Sequence, residues 1–309
     1  MLDLKILVRK IEYDFLFKKN IGSEKRKTRT INQIINTENN SILTEISPLP
    51  GLHKETLIDA TDKFIQYFQK IKTKTKHEYN FEPTTPLFNL LDDKDLMREF
   101  TALPPSSKYA LELMTLNLAG QLDEIAEVEP SKLFMDGENY SNKNIKLKVR
   151  EDEIKKDKVI LNDLLQNNNT IRIDGNNTFK AATMIELIDS CEKSKIEYIE
   201  DSFTSVQEEL NFLKKFPDIS LGRDLENISF KIEEHINFYI LKPNLLGSIS
   251  ELFIKIREIE KAGKKVILSS CFEGDLGLRG LNYIYHSEHY KNKQQPGFDT
   301  KKYIKKRAS

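Results

Sequence analysis

The sequence predicts an α/β fold built on a parallel sheet, and three observations carry that prediction. From about residue 144 onward, six short apolar runs alternate with amphipathic helical patterns. Nearly every run ends in a polar or ionisable residue. Residues 1–104 have another texture, with strand-like runs first and then a helical stretch broken by prolines. Repeated strand–helix alternation means parallel strands joined by right-handed crossovers. Six such units in tandem suit a (β/α) barrel, with an open sheet as the alternative.

The runs are NIKLKV, TIRIDGN, EYIEDS, ISLGRD, FYILKPN and KVILSSC, beginning at Asn144, Thr170, Glu197, Ile219, Phe238 and Lys265. Between them, Met184, Leu187, Ile188 and Cys191 mark one helical stripe, and Ile249, Leu252, Phe253, Ile256 and Ile259 another. Ser205 with Glu208, and Ser248 with Glu251, have the spacing of capping boxes, and Gly263 is placed to end a helix. In the first section, strands flank a basic loop from Gly22 to Arg29, and the proline-rich LTEISPLPG (residues 43–51) closes it. Leu57, Thr61, Phe64, Phe68 and Ile71 recur at helical spacing. Residues 72–104 read as irregular, with Pro83, Pro86, Pro104 and Pro105 as breakers, and a second helix follows from about Ser106 to Leu122.

Composition narrows the function classes. Lysine plus arginine and aspartate plus glutamate both number 48, so no global basic field argues for nucleic acid. No apolar run approaches a membrane span, and the charged start lacks a signal-peptide core. Two cysteines, Cys191 and Cys271, are too few for a disulfide framework, so a cytoplasmic protein is expected. The five histidines form no metal-binding pattern. Oligomeric state is left open by the sequence.

The polar strand ends are Lys148, Asp174, Glu200, Asp224, Lys242 and Ser269, each about one βα unit from the next. In a barrel such ends ring one mouth, where active sites of that fold sit. Strand alternation puts Lys146 and Lys148 on one face and Ile145, Leu147 and Val149 on the other. Arg172, Asp174 and Asn176 share a face, as do Tyr198 and Glu200, and Ile267 and Ser269. Three carboxylates converging away from water repel one another, and a hard divalent cation resolves that. Lysines flanking it would have their pKa lowered by burial and by the cation. Metal and lysine together suit removal of a proton α to a carboxylate, with the cation holding the enediolate.

In this order NIKLKV, RIDGN, YIED, GRD, ILKPNLLGS and ILSSCFEGDLGL resemble the enolase superfamily, and within it the o-succinylbenzoate synthase family. TEISPLPGLHKET (44–56) resembles that family's specificity loop, and PGFDT (296–300) its late barrel segment. The resemblance implies a (β/α)7β barrel over residues 105–300 and an α+β capping domain over 1–104, and the basic KKYIKKRAS (301–309) reads as a solvated, frayed tail. It implies that Asp174, Glu200 and Asp224 hold Mg²⁺, with Mn²⁺ as a substitute. It implies that Lys148 is the acid/base, that Lys242 faces it and stabilises the anionic intermediate, and that Ser269 binds a substrate carboxylate. Lys146, Arg172, Asn176, Ser270, Pro50 and Gly51 complete the candidate substrate contacts, with a structural ion pair as the alternative for Arg172. The implied reaction is dehydration of a small-molecule carboxylate in menaquinone biosynthesis. N-succinylamino-acid racemases and dipeptide epimerases on the same scaffold, and a non-catalytic binding protein, stand as alternatives. The chain departs from the family where it reads EDS at 200–202 and DLE at 224–226.

Overall fold

The computed structural model describes residues 4–16, 28–78, 93–134, 140–141, 143–167 and 169–307. Pro83, Pro86 and the basic stretch from Gly22 to Lys27 lie outside the described residues.

Two sheets organise the chain. The smaller is antiparallel, with β1 (Ile6–Phe15), β2 (Thr28–Asn36) and β3 (Ile42–Ile46) in sequence and β11 (Ile304–Lys306) on the outer side of β1. Ile34, Leu43 and Ile46 pack there against α1 (Leu57–Glu78) and α2 (Lys94–Ala102) through Phe64, Phe68 and Phe100. Helix α2 falls in the segment expected to be irregular. It is nine residues long, and the Asp93 carboxylate caps it by accepting the Asp95 and Leu96 N–H groups. Its short apolar stripe, Leu96 and Phe100, is one turn only and is hard to see between breakers.

Two other expectations change. Arg29, read as the end of a basic loop, lies in β2 and is buried, with Nη2 donating to the Ser47 carbonyl at 2.7 Å. The C-terminal basic run is not a frayed tail over its described part. Ile304–Lys306 pairs with β1, Tyr303 is buried with its hydroxyl on the Leu133 carbonyl at 2.9 Å, and Arg307 pairs with Asp14. The charges sit outward while the backbone covers the β1 edge.

The larger sheet is parallel and runs in chain order: β4 (Lys132–Leu133), β5 (Asn144–Lys148), β6 (Thr170–Asp174), β7 (Ile196–Glu200), β8 (Leu221–Asp224), β9 (Phe238–Leu241) and β10 (Lys265–Leu268). Helices α4 (Ile154–Gln166), α5 (Ala181–Ile188) and α6 (Val206–Lys215) connect successive strands, and the β8–β9 connection carries no helix. After β9 come a single turn, α7 (Pro243–Leu246), and α8 (Ile249–Lys261); α9 (Asp275–His286) follows β10. The sheet curls. Gly297 donates its N–H to Leu268 and accepts from Ser270 at the β10 edge, while the Pro296 carbonyl accepts from Ser131 just before β4.

Phase decides the faces. Ile145, Leu147, Ile171 and Ile173 join the helices in the main core with Leu161, Met184, Phe212 and Ile256. On the opposite face Tyr198, Phe238, Ile240 and Ile267 form a small separate cluster. Gly222 belongs to that inner face because a Cβ there would lie 2.9 Å from the Tyr198 ring and 3.1 Å from Ile240 Cδ1. Helix α3 (Pro105–Leu118) serves both units: Ala110, Leu111 and Met114 enter the core under the small sheet, and Tyr109 and Leu113 enter the main core.

Glu112 ties α3 to α8. Its buried carboxylate accepts from Ser248 Oγ at 2.9 Å, Ser250 Oγ at 2.7 Å and the Ile249 N–H. Burial outweighs these hydrogen bonds and pushes the carboxyl up to about 7 from its ordinary 4.5. A folded value above the unfolded one means a contribution fully present below pH 4.5 and lost as pH rises through 7. Glu112→Gln is expected to flatten the fall in stability across that window by up to about 3 kcal/mol. Urea unfolding at successive pH values measures it, and an unchanged slope would contradict the assignment.

Candidate active site

Successive strands of the curled sheet deliver their inward-facing ends to one cavity of about 490 Å³. Lys146, Lys148, Asp174, Asn176, Glu200, Asp224, Lys242, Ser269, Ser270 and Gly51 all line it. Parallel register explains the meeting: Lys148 is level with Asp174, and Asp174 with Glu200. Lys242 follows the last residue of β9 and opens α7, where Pro243 starts the turn. Ser269 follows β10 and bridges to Gly297.

The charges meet directly. Lys146 Nζ lies 2.6 Å from Glu200 Oε1 and 3.0 Å from Asp174 Oδ2. Lys148 Nζ stands 3.4 Å from Asp174 Oδ2 and is the most exposed of the three lysines. Lys242 pairs with Asp224 Oδ2. Burial alone would raise Asp174, but Lys146 and Lys148 hold its carboxyl far below the usual range. Glu200 moves the other way: burial raises it, with Asp174 and Asp224 adding to that against the pull of Lys146. Burial, with Asp224 and Glu200 close by, pushes Asp201 up to about 8.

The lysines depart from the expectation that burial lowers them. Burial does act downward on Lys146 and Lys242, yet the carboxylates outweigh it, Asp174 and Glu200 for the first and Asp224 for the second. Both ammoniums are held above their ordinary range.

Two candidate substrate contacts, Arg172 and Pro50, lie outside the cavity lining, and the hydroxyl of a third, Ser270, already has partners within the protein. Arg172 does not line the cavity. It is buried, with Nε on Glu197 Oε2 at 2.6 Å and Nη1 donating to Ser131 Oγ and the Gln295 carbonyl, and it lies over the Tyr198 ring. It sits one pleat below Asp174 on the same face, deeper in the sheet, and holds the structural ion pair. Pro50 is exposed and also outside the cavity lining, which its neighbours Leu49 and Gly51 both reach. Ser270 lines the cavity, but its hydroxyl is engaged by Glu273 Oε2 at 2.5 Å, Thr300 Oγ1 at 2.8 Å and the Phe272 N–H at 2.9 Å.

Sequence reasoning missed the apolar lining. Leu49, Leu52, Leu245, Cys271 and Phe272 form one wall, and Asn177, Asp201, Glu226, Asp299 and Thr300 add polar groups. The last two lie in the quoted PGFDT segment, which was the available signal. Phe272 had none. The Cys271 thiol is buried and pushed well above its usual range by that burial, which suits a packed side chain.

The carboxylate oxygens at the strand ends suit a hard metal ion. Glu200 Oε2 and Asp224 Oδ1 are buried without a hydrogen-bond partner. Together with Asp174 they form a set of hard carboxylate donors of the kind Mg²⁺ takes. Among the described residues, the group of three potential ligands lying within 4.8 Å of one another is a different one, Glu209, Glu233 and His235. Arg223 already occupies that group through Glu209 and Glu233. The strand-end carboxylates are spread wider because lysine ammoniums lie between them.

No family model matches the chain. It is 24% identical over 247 residues to the o-succinylbenzoate synthase of Aliivibrio fischeri, covering 77% of this chain and 72% of that one. The solved o-succinylbenzoate synthase of Thermosynechococcus elongatus, complexed with Mg in its active site, superposes with a TM-score of 0.66 at 16% identity, over 96% of this chain and 93% of its own. A dipeptide epimerase of Enterococcus faecalis, complexed with Mg and L-Leu-L-Tyr, superposes with a TM-score of 0.72 at 16% identity, over 97% and 90%. The chain thus resembles o-succinylbenzoate synthases in sequence and, in fold, the solved structures of such a synthase and of a dipeptide epimerase, and it is an enzyme related to those synthases.

The ion-pair cluster predicts its own stability effect. Lys146→Met would leave Asp174 and Glu200 facing each other without the ammonium between them. In metal-free protein this is expected to cost about 3–5 kcal/mol. Denaturant titration measures it, and a loss below about 1 kcal/mol would contradict the central place given to Lys146.

Proposed function

We propose that the chain is an o-succinylbenzoate synthase of menaquinone biosynthesis, acting in the cytoplasm. It would dehydrate 2-succinyl-6-hydroxy-2,4-cyclohexadiene-1-carboxylate to o-succinylbenzoate. The proposed architecture is a (β/α)7β barrel, residues 105–300, closed by the 296–297 segment and covered by an α+β cap from residues 1–104. Residues 304–306, first read as tail, add a strand to that cap. The observation that carries the reading is the meeting of Lys148 and Lys242 with Asp174, Glu200 and Asp224 in one cavity, each from a different strand end.

In this reading Asp174, Glu200 and Asp224 would hold Mg²⁺, or Mn²⁺ in its place. The cation would supply positive charge where negative charge develops on the substrate carboxylate. Lys148, in its amine form, takes the proton from the carbon bearing that carboxylate. The freed electron pair forms the new ring double bond as the neighbouring carbon–oxygen bond breaks. Lys148 then returns its proton to the departing hydroxyl, which leaves as water, so one group serves as base and acid on one face. Lys242 keeps its positive charge toward the anion from the opposite side. Ser269 orients a substrate oxygen. Exclusion of water under the apolar wall strengthens each of these interactions.

A two-base racemase or epimerase is the second reading, favoured by the likeness to the dipeptide epimerase fold. Racemisation needs Lys148 and Lys242 to act as equivalent bases on opposite faces. The structure makes them unequal. Lys242 is 12% exposed and paired with Asp224, whereas Lys148 is 34% exposed and only 3.4 Å from its nearest carboxylate. That asymmetry favours single-base dehydration.

An ultraviolet assay with the cyclohexadiene substrate, run beside an N-succinylamino-acid panel, tests the reading. Turnover of the first, dependent on Mg²⁺ or Mn²⁺, is expected. Lys148→Ala should lower kcat by at least about 10²–10⁴-fold with the fold intact. Faster turnover of the panel, or near-normal dehydration by Lys148→Ala, would contradict it.

A further inference from the structure

The cavity has two chemically different sides. One carries the lysines and carboxylates; the other is the apolar wall of Leu49, Leu52, Leu245, Cys271 and Phe272. We propose that Phe272 is the residue of that wall that selects a substrate with a flat, cyclic hydrocarbon body, by presenting a clamped aromatic ring on which it rests. The proposal deepens the reading given under Proposed function and rests on it.

Backbone conformation is the first observation. Six non-glycine residues among those described have positive φ, and four of them, Asn176, Asn177, Asp201 and Phe272, line this cavity. Asparagine and aspartate tolerate the left-handed region because their short side chains can hydrogen-bond locally. Phenylalanine gains nothing of that kind, and its φ of 60° is a strained conformation for a bulky residue. Such a conformation persists only where its surroundings enforce it.

Those surroundings are explicit. The Phe272 N–H donates to Ser270 Oγ at 2.9 Å. The Cys271 N–H donates to the Glu273 carboxylate at 2.8 Å. The Gly274 N–H donates to Glu45 Oε1 at 2.7 Å, across from β3 of the small sheet. Every anchor here is buried. From the small sheet the Phe15 ring meets the Phe272 ring edge-on, with centroids 5.4 Å apart and planes at 88°. The turn fixes the backbone and Phe15 fixes the ring, so the aromatic face is held in one place beside the charged groups. An open-chain acid would use the lysines alone. An acid with a planar ring would use the lysines and the Phe272 face together.

The test compares the full chain, loaded with Mg²⁺, with Phe272→Gly and Phe272→Leu. Calorimetry measures o-succinylbenzoate and, as a ringless acid, succinate; the dehydration assay is run in parallel. The proposal expects o-succinylbenzoate to bind at least tenfold more weakly to Phe272→Gly and several-fold more weakly to Phe272→Leu, with succinate unchanged. KM for the cyclohexadiene should rise more than kcat falls. Equal affinity of the parent and either variant for o-succinylbenzoate overturns it, as does an equal loss for succinate. If Phe272→Gly does not fold, Phe272→Leu decides alone. Binding that depends on Phe272 without any dehydration would defeat the reading of function and leave this assignment standing. Dehydration insensitive to Phe272 would do the reverse, and a parent that neither binds nor dehydrates defeats both.

Discussion

Lys146 lying between Asp174 and Glu200 is the contact on which the rest of the structure depends. The curled sheet turns one face inward, and polar groups on that face lose water. Three carboxylates gathered there would repel each other strongly, since charges interact at low effective dielectric. Lysines from other strands answer each of them: Lys146 and Lys148 at Asp174, Lys146 at Glu200, Lys242 at Asp224. The compensation is incomplete. Glu200 Oε2 and Asp224 Oδ1 keep unused acceptor capacity in a buried setting. A stably packed protein would not retain such groups for packing alone, because apolar side chains fill the same space at lower desolvation cost.

A second constraint joins the small sheet to the strand ends. The Ser47 carbonyl accepts from Arg29 of β2 at 2.7 Å and from Asn244 of the turn after Lys242 at 2.8 Å. His53 Nδ1 accepts the Leu49 N–H, and its Nε2 lies 3.3 Å from the Asn244 carbonyl. The SPLPG stretch is therefore fastened to the strand end that carries Lys242. Glu45 makes the matching tie to the loop after β10. The cavity charges come from the parallel sheet, while its wall joins Leu49 and Leu52, from the stretch after β3, to Leu245, Cys271 and Phe272, which follow β9 and β10, and buried hydrogen bonds hold the two contributions in register.

Much of this could be read in the residues. Alternation along NIKLKV and RIDGN sorts inward from outward groups without knowledge of the fold. Chain-order repetition of strand and helix says that the ends lie on one rim. Long-range partners decided what was missed. Arg172 has the same phase as Asp174, and only its depth and its meeting with Glu197 and Gln295 turn it into an internal strut. β4 has two residues and β11 three, too few to show a period. Arg29 looks like loop charge until β2 carries it inside. Phe272 sits in a turn held locally by Ser270 and Glu273 and from far along the chain by Glu45 and Phe15, and no local pattern announces the distant pair.

The central claim is that the carboxylates at three successive strand ends share one cation. The most direct measurement is a crystal of the protein equilibrated with Mn²⁺, with diffraction recorded near the manganese absorption edge. The account predicts one dominant anomalous peak among Asp174, Glu200 and Asp224, with the Lys146 and Lys242 ammoniums withdrawn from those oxygens. A dominant peak at Glu209, Glu233 and His235, or no peak within the cavity at saturating Mn²⁺, would contradict it.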